Sequence, residues 1–338
     1  MTMKQFVLAS PTDENMFRAI VLFGRNSSSY KFAFATALIG FAEQGRDIVP
    51  ITELAKPYAL ALCSHLKTSP KQCTQSSSKF LSECQRFNAG KIALDELVGV
   101  TTRLGFENVI DTFHRVRNAD IPIRFFRDDR KTTQPSIVIT NSLLTLASGS
   151  AGITLQETDS RWSLVETAWA LGTTTAVIGF DPVTGDLVLP VKRKSITSAI
   201  PALNGYQKGV CFYCYKKMAM TTGASDSAEV DHLFPHVLMA QGLAKNLDGI
   251  WNLVLACKDC NRGPKGKFDS TPHKKYVERL HDRNEYLILS NLPLRETLIK
   301  QTGNLAPARM IFLQMNLDTA SKYQPIPWET QPVGPKAF

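Results

Sequence analysis

No stretch of this sequence is apolar for long enough to cross a bilayer, which takes about 20 residues; runs such as Ala19 to Phe23 stop after a handful. The Phe6-Val7-Leu8-Ala9 run, with the single nearby Lys4, is too short for a secretory signal, so a cytoplasmic protein is expected. Internal repeats and low-complexity tracts are absent. So is a phosphate-binding loop, because Gly24 to Lys31 and Gly263 to Lys267 both lack the G-x-x-x-x-G-K-[ST] spacing. The cysteine count of seven is odd, which argues against a disulfide framework. At 43% hydrophobic and 20% charged residues, the composition excludes global disorder and fibrous repeats, and 338 residues call for two domains.

The first part of the chain has almost no net charge. Residues 1–190 hold 19 Lys+Arg against 18 Asp+Glu, whereas residues 191–338 hold 20 against 12. Nearly all of the net charge of +9 therefore lies in the C-terminal part. A basic domain commonly meets a polyanion, since each neutralised phosphate releases condensed counterions. A solvated lysine-rich face accounts for the charge equally well.

Helical periodicity dominates residues 1–104: Phe17, Ile20 and Phe23, then Phe32, Ala35 and Ile39, with further helices expected near residues 51–65, 76–87 and 91–104. Two short helices over residues 94–102 and 107–115, followed by an alternating hairpin from Ile121 to Ile139, give the order of a winged helix-turn-helix. That reading sets Arg115, Arg117, Arg130 and Lys131 against DNA; the competing one is a packing or protein-contact module, since local acids nearly cancel these bases. An amphipathic helix is expected over residues 161–171, then a hairpin around Asp181 to Asp186. Lys192-Arg193-Lys194-Ser195 reads as a basic linker, with the domain boundary between about residues 190 and 205. The expected division is 1–190, a partner-binding or targeting domain, and 191–338.

Four cysteines stand apart from the rest. Cys211, Cys214, Cys257 and Cys260 form two C-x-x-C pairs separated by 42 residues, and each pair places two thiolates on one tight turn, as a tetrahedral zinc ion requires. Between them lie Val230-Asp231-His232-Leu233-Phe234-Pro235 and Trp251-Asn252-Leu253-Val254-Leu255-Ala256, and the second pair runs into Asn261-Arg262. In this order, over roughly residues 205–285, the chain resembles the HNH endonuclease family.

The expected fold is α+β: periodicity gives a mostly helical N-terminal domain with a winged-helix-like part, and the resemblance implies a C-terminal ββα-metal nuclease domain with flanking helices. It implies a divalent-metal-dependent DNA endonuclease leaving 5′-phosphate and 3′-hydroxyl ends, in a restriction or phage-defence setting. His232 then serves as general base. Asp231, on the opposite side of an extended strand, and the Asn261 amide oxygen hold the catalytic ion, which an amide ligand biases toward Mg2+ or Mn2+. Asn252 orients the His232 ring or ties the connecting loop. Arg262, Lys265 and Lys267 hold flanking phosphates, and a structural Zn2+ sits on the four cysteines. Dimer contacts or a protein partner would fall to the N-terminal domain. The alternatives are a non-catalytic zinc-binding adaptor that docks DNA or a partner protein, and an RNA-directed nuclease.

After the site, a helix capped by Thr271 with Pro272 at its first position is expected, then helices over residues 293–301 and 307–323 and an extended or mobile tail from Pro325.

Overall fold

A computed structural model describes residues 11–338 except 25–26, 75–77, 117–118, 172–177, 190–193, 222, 245 and 290–293. Arg117 and the Lys192-Arg193 pair therefore lie outside the described residues. The architecture is α+β, and the chain divides into two compact units, residues 11–172 and residues 173–338.

In residues 11–172, helix α1 (Asp13–Phe23) starts where Thr12 Oγ1 accepts the Asn15 amide at 3.3 Å, with Asp13 and Glu14 complementing the helix dipole. Its C-terminal carbonyls are closed by buried cations: Lys31 Nζ donates to Gly24 O at 2.8 Å, and Arg161 to Leu22 O at 3.3 Å. Helix α2 (Tyr30–Glu43) is apolar on most sides and mostly buried, so it forms the centre of the unit. Around it lie α3 (Ile51–Thr68), α4 (Lys79–Asn88), α5 (Leu94–Val100) and the long α7 (Asn141–Leu171), which breaks at Ser150. Phe34, Phe113 and Phe126 meet edge-on or tilted at centroid separations of 5.2–5.6 Å, which fills the core with rings in favourable quadrupole geometry.

Strand β1 (Ile48–Pro50), which helical periodicity did not signal, pairs with β5 (Ser136–Ile139), and β5 pairs with β4 (Phe126–Asp129). The order helix, helix, hairpin is present, but the second helix, α6 (Val109–Thr112), is a single turn. Asn108 stands in the left-handed region at φ 66°, and strand β2 (Arg115–Val116) with its partner β3 (Ala119–Asp120) ends the helix early. One turn is too short to lie along a groove. Two of the four bases assigned to DNA there are paired with acids: Arg115 with Asp120, and Arg130 with Asp111 and Asp128, both at 2.7 Å.

In residues 173–338, β6 (Gly179–Asp181), β7 (Asp186–Leu189) and β8 (Lys194–Ser198) form an antiparallel sheet in that order. The turn is the expected one, with Asp181 Oδ1 accepting from Val183 and Thr184 and Gly185 at φ +73°. Of the segment read as a basic linker, Lys194 and Ser195 begin strand β8, which pairs with β7. Helix α8 (Ala199–Gln207) leads into the site, which contains β9 (Glu229–His232), α9 (Val237–Ala240), β10 (Leu253–Ala256) and α10 (Lys258–Arg262).

Helices α11 (Lys274–Leu289), α12 (Leu294–Thr302) and α13 (Ala306–Tyr323) complete the unit. Helix α11 begins past Pro272 because that residue bridges to Trp328, while the Thr271 hydroxyl donates to Ala320 O at 2.8 Å rather than capping the helix. The tail is anchored, not loose. Val333 and Gly334 donate to Cys214 O, and Phe338 packs its ring on Tyr206 and Tyr215.

Candidate active site

The four cysteines come together as their spacing requires. Their sulfurs all lie within 4.8 Å of one another and are buried. The first knuckle closes through Tyr215 N to Cys211 O at 3.0 Å, with Tyr215 at φ 61°. In the second, Cys257 caps α10 and Cys260 lies within it. Hydrogen bonding from Cys211 pulls the Cys214 thiol down to about 7, toward the thiolate a metal binds. The donor set fits a structural zinc ion: four sulfurs from four buried cysteines.

Next to this cluster, β9 and β10 pair antiparallel, with His232 opposite Leu253 and Asp231 opposite Val254. The pair is braced from three sides. Gln207 makes a strand-like double bond with Leu255, donating to its carbonyl at 2.8 Å and accepting from its amide at 2.7 Å. Phe212, on the first knuckle, donates its amide to the same carbonyl. From α11, the buried Arg283 guanidinium gives one nitrogen to Ile250, Trp251 and Leu253 carbonyls, and burial brings its pKa down to about 10.

The two-residue period of β9 sorts the side chains by face. His232 leaves one face. Its Nε2 stands 3.0 Å from Asp248 Oδ1, and the same oxygen lies 3.3 Å from His236 Nε2. The His232 side chain is 16% exposed, and this burial outweighs the attraction of Asp248 and Asp231, so its pKa falls below the ordinary value. The ring remains neutral near pH 7 and able to accept a proton.

Glu229 and Asp231 share the other face. Glu229 Oε2 accepts from the Asn261 amide at 2.8 Å, and its Oε1 pairs with Arg262 at 2.5 Å. Asp231 accepts from the Tyr213 hydroxyl and lies 3.3 Å from the Lys267 ammonium. Burial raises the Tyr213 pKa well above its usual range, so the phenol keeps its proton and remains the donor.

Lys267 is fully buried, with its ammonium on Asp231 and on Phe268 O at 3.0 Å, so it cannot reach a DNA phosphate. That corrects the sequence expectation: a residue five past a surface arginine was read as surface too. Arg262 and Lys265 are exposed.

Asn252 is also buried. Its amide donates to Phe234 O and Leu247 O at 3.0 Å, and its oxygen accepts from Phe234 N at 2.9 Å. Of its two expected roles the structure shows the loop tie. Because Phe234 and Leu247 flank His232 and Asp248, the tie brings the acid and the histidine together.

The sequence reading missed three residues. Glu229 had a signal, since it stands two positions before Asp231 on a strand. Tyr213, inside the first knuckle, and Asp248, 16 residues past His232, had none.

The oxygen donors Glu229, Asp231 and Asn261 suit a hard divalent ion in kind. Arg262 and Lys267 now supply the positive charge on that face. Arg262 is exposed and free to leave Glu229; the buried Lys267 stays on Asp231.

Residues 211–265 match the family model of HNH endonucleases. This part of the chain is similar to an HNH domain. No curated protein and no solved structure matches the chain. Among the described residues, no helix is long and apolar enough to cross a membrane.

Proposed function

We propose that the protein is a DNA endonuclease whose chemistry lies in residues 173–338. The observation that carries this reading is the neutral, half-enclosed His232 at the end of β9, braced over a four-cysteine cluster inside the HNH-type domain. His232 takes a proton from the attacking water as general base. That water's oxygen bonds to phosphorus and the bond to the 3′-oxygen breaks, which leaves 5′-phosphate and 3′-hydroxyl ends. Exposed Arg262 and Lys265 pair with flanking phosphates, charge-assisted and without sequence readout.

Glu229, Asp231 and Asn261 would hold a divalent ion, Mg2+ or Mn2+, beside Lys267, which faces both Asp231 oxygens, and the ion would supply neutralisation of charge on the phosphoryl oxygens. The four cysteines carry Zn2+ for structure. Residues 11–172, nearly neutral and without a groove-length second helix, serve for targeting or partner binding.

A second reading, a zinc-binding adaptor that docks DNA without cutting it, draws on one feature: Asp231 already carries an ammonium. Incubating the full chain with supercoiled plasmid across Mg2+, Mn2+ and chelator, with sequencing of the ends, decides between them. Ion-dependent nicking with 5′-phosphate ends supports the nuclease. Binding with no nicking in either ion supports the adaptor.

A further inference from the structure

The nuclease reading needs a bare nitrogen on His232, and the structure bears on which of the two it is. An imidazole nitrogen facing a carboxylate must carry the proton, because an ionised carboxylate only accepts. Asp248 Oδ1 faces His232 Nε2 at 3.0 Å. A ring protonated at Nε2 has its lone pair on Nδ1.

We infer that Asp248 is the positioning residue of the general base: it fixes His232 in the Nε2–H form, so that Nδ1 is the atom that takes the proton from water. This rests on the nuclease reading for its function, but not for its geometry.

Asp248 is held for this task from both ends. On its own loop, Leu247 O accepts from Asn252 Nδ2 at 3.0 Å, and Gly249 opens the short turn Ile250–Asn252 that Arg283 clamps. Gly249 has no room for a side chain, since a Cβ would stand 2.5 Å from the Trp251 ring. On the side-chain end, His236 Nε2 reaches the same Oδ1 at 3.3 Å and limits rotation of the carboxylate. The acid is partly enclosed and the His232 ring largely so, at 34% and 16% exposure. A bond sheltered in this way fixes ring orientation more firmly than one in water.

An acid in this position does two things at once. It sets the tautomer before substrate arrives, and it stabilises the imidazolium that forms when Nδ1 accepts the proton. The same division of labour operates wherever a carboxylate backs a catalytic histidine. The proton moves from water to Nδ1, the Nε2 proton stays on the ring, and the 3′-oxygen leaves and is protonated by solvent. A carboxamide in place of Asp248 can turn its NH2 toward Nε2 and favour the opposite tautomer, leaving Nδ1 protonated and unable to act.

The test uses full-length, zinc-loaded protein with 15N-labelled histidine. Long-range proton–nitrogen correlation spectra read the His232 tautomer without any cleavage, with His232→Gln assigning the signal. The wild type is expected as Nε2–H, and Asp248→Asn as a mixture or Nδ1–H. Under ion conditions in which the wild type cuts, Asp248→Asn should lose roughly 10²–10⁴-fold in kcat with KM nearly unchanged. Asp248→Glu, which keeps the carboxylate, should recover part of it. A wild-type ring in the Nδ1–H form, or Asp248→Asn cutting at the wild-type kcat, overturns the inference. If the wild type shows the Nε2–H form and Asp248→Asn loses it, but neither cuts DNA, the dyad stands and the nuclease reading falls.

Discussion

In residues 11–172 two enclosed bases close on acids. Arg18 meets Glu157 at 2.8 Å, and His65 lies between Glu166 and Asp159 with its ring stacked on Trp162. In residues 173–338 Lys267 and Asp231, and Arg309 and Glu285, close in the same way, but further groups converge on shared points. Four sulfurs meet in one pocket, two imidazole nitrogens share one Asp248 oxygen, and Arg283 is surrounded by carbonyls. The charge balance differs modestly in the same sense: residues 1–172 carry 19 bases against 16 acids, and residues 173–338 carry 20 against 14. A network that satisfies itself is a device for stability. Groups that converge on a shared point, within a surplus of positive charge, suit the binding of an ion.

The largest effect should come from the zinc. Cys257→Ser, or a strong chelator, is expected to unfold the HNH-type domain, because structural zinc supplies on the order of 10 kcal/mol of its stability. The comparison predicts that residues 11–172 keep their fold. Protection of their amides from hydrogen exchange, measured beside loss of protection around β9 and β10, checks it. Loss of protection in both units together would merge what the comparison separates.

A change in the closed core should do the reverse. Phe34→Ala removes a fully buried ring that touches Phe113 and Phe126, and should cost about 3–5 kcal/mol. Zinc content and protection of the cysteine knuckles should remain as in the wild type.

The self-satisfied unit should also carry a pH signature. His65 gains two carboxylates against the cost of burial, and its pKa rises to about 9. Its contribution is complete below the unfolded value near 6.5 and is lost as pH rises through about 9. His114 is buried and accepts the Phe125 amide at 2.9 Å, so its pKa falls to about 4. Its contribution is complete above about 6.5 and is lost as pH falls toward about 4. Together they place the maximum stability of residues 11–172 near pH 6.5. Melting temperatures from pH 4 to 9.5 test this, and His65→Gln should remove the loss on the alkaline side only.

The smallest effects belong to the exposed bases. Arg262→Ala and Lys265→Ala should each weaken DNA binding and lower the salt slope by about 1. Arg130→Ala, whose guanidinium is committed to Asp111 and Asp128, should leave the slope unchanged. Salt titrations of DNA affinity read all three.

Local chemistry was legible in the sequence. The C-x-x-C spacing carried the sulfur cluster, and Asp181 to Gly185 carried the hairpin turn, because a few adjacent residues suffice for each. What depended on a distant partner was not. Lys267 looks like any basic loop residue until Asp231 is beside it, and Asp248 is unremarkable until Asn252 ties its loop down. The start of strand β8 read as a linker because its hydrogen bonds come from β7 rather than from its own pattern. The helix at residues 107–115 failed for a conformational reason: Asn108 takes positive φ, which periodicity does not register.

We propose that the chemistry runs through His232. The direct measurement is the single-turnover rate of DNA cleavage by His232→Ala in full-length protein with wild-type zinc content, at saturating DNA and divalent ion. A loss of at least about 100-fold, the usual reach of a general base, with DNA affinity retained, is the predicted result. Cleavage by that variant at the wild-type rate would contradict the account.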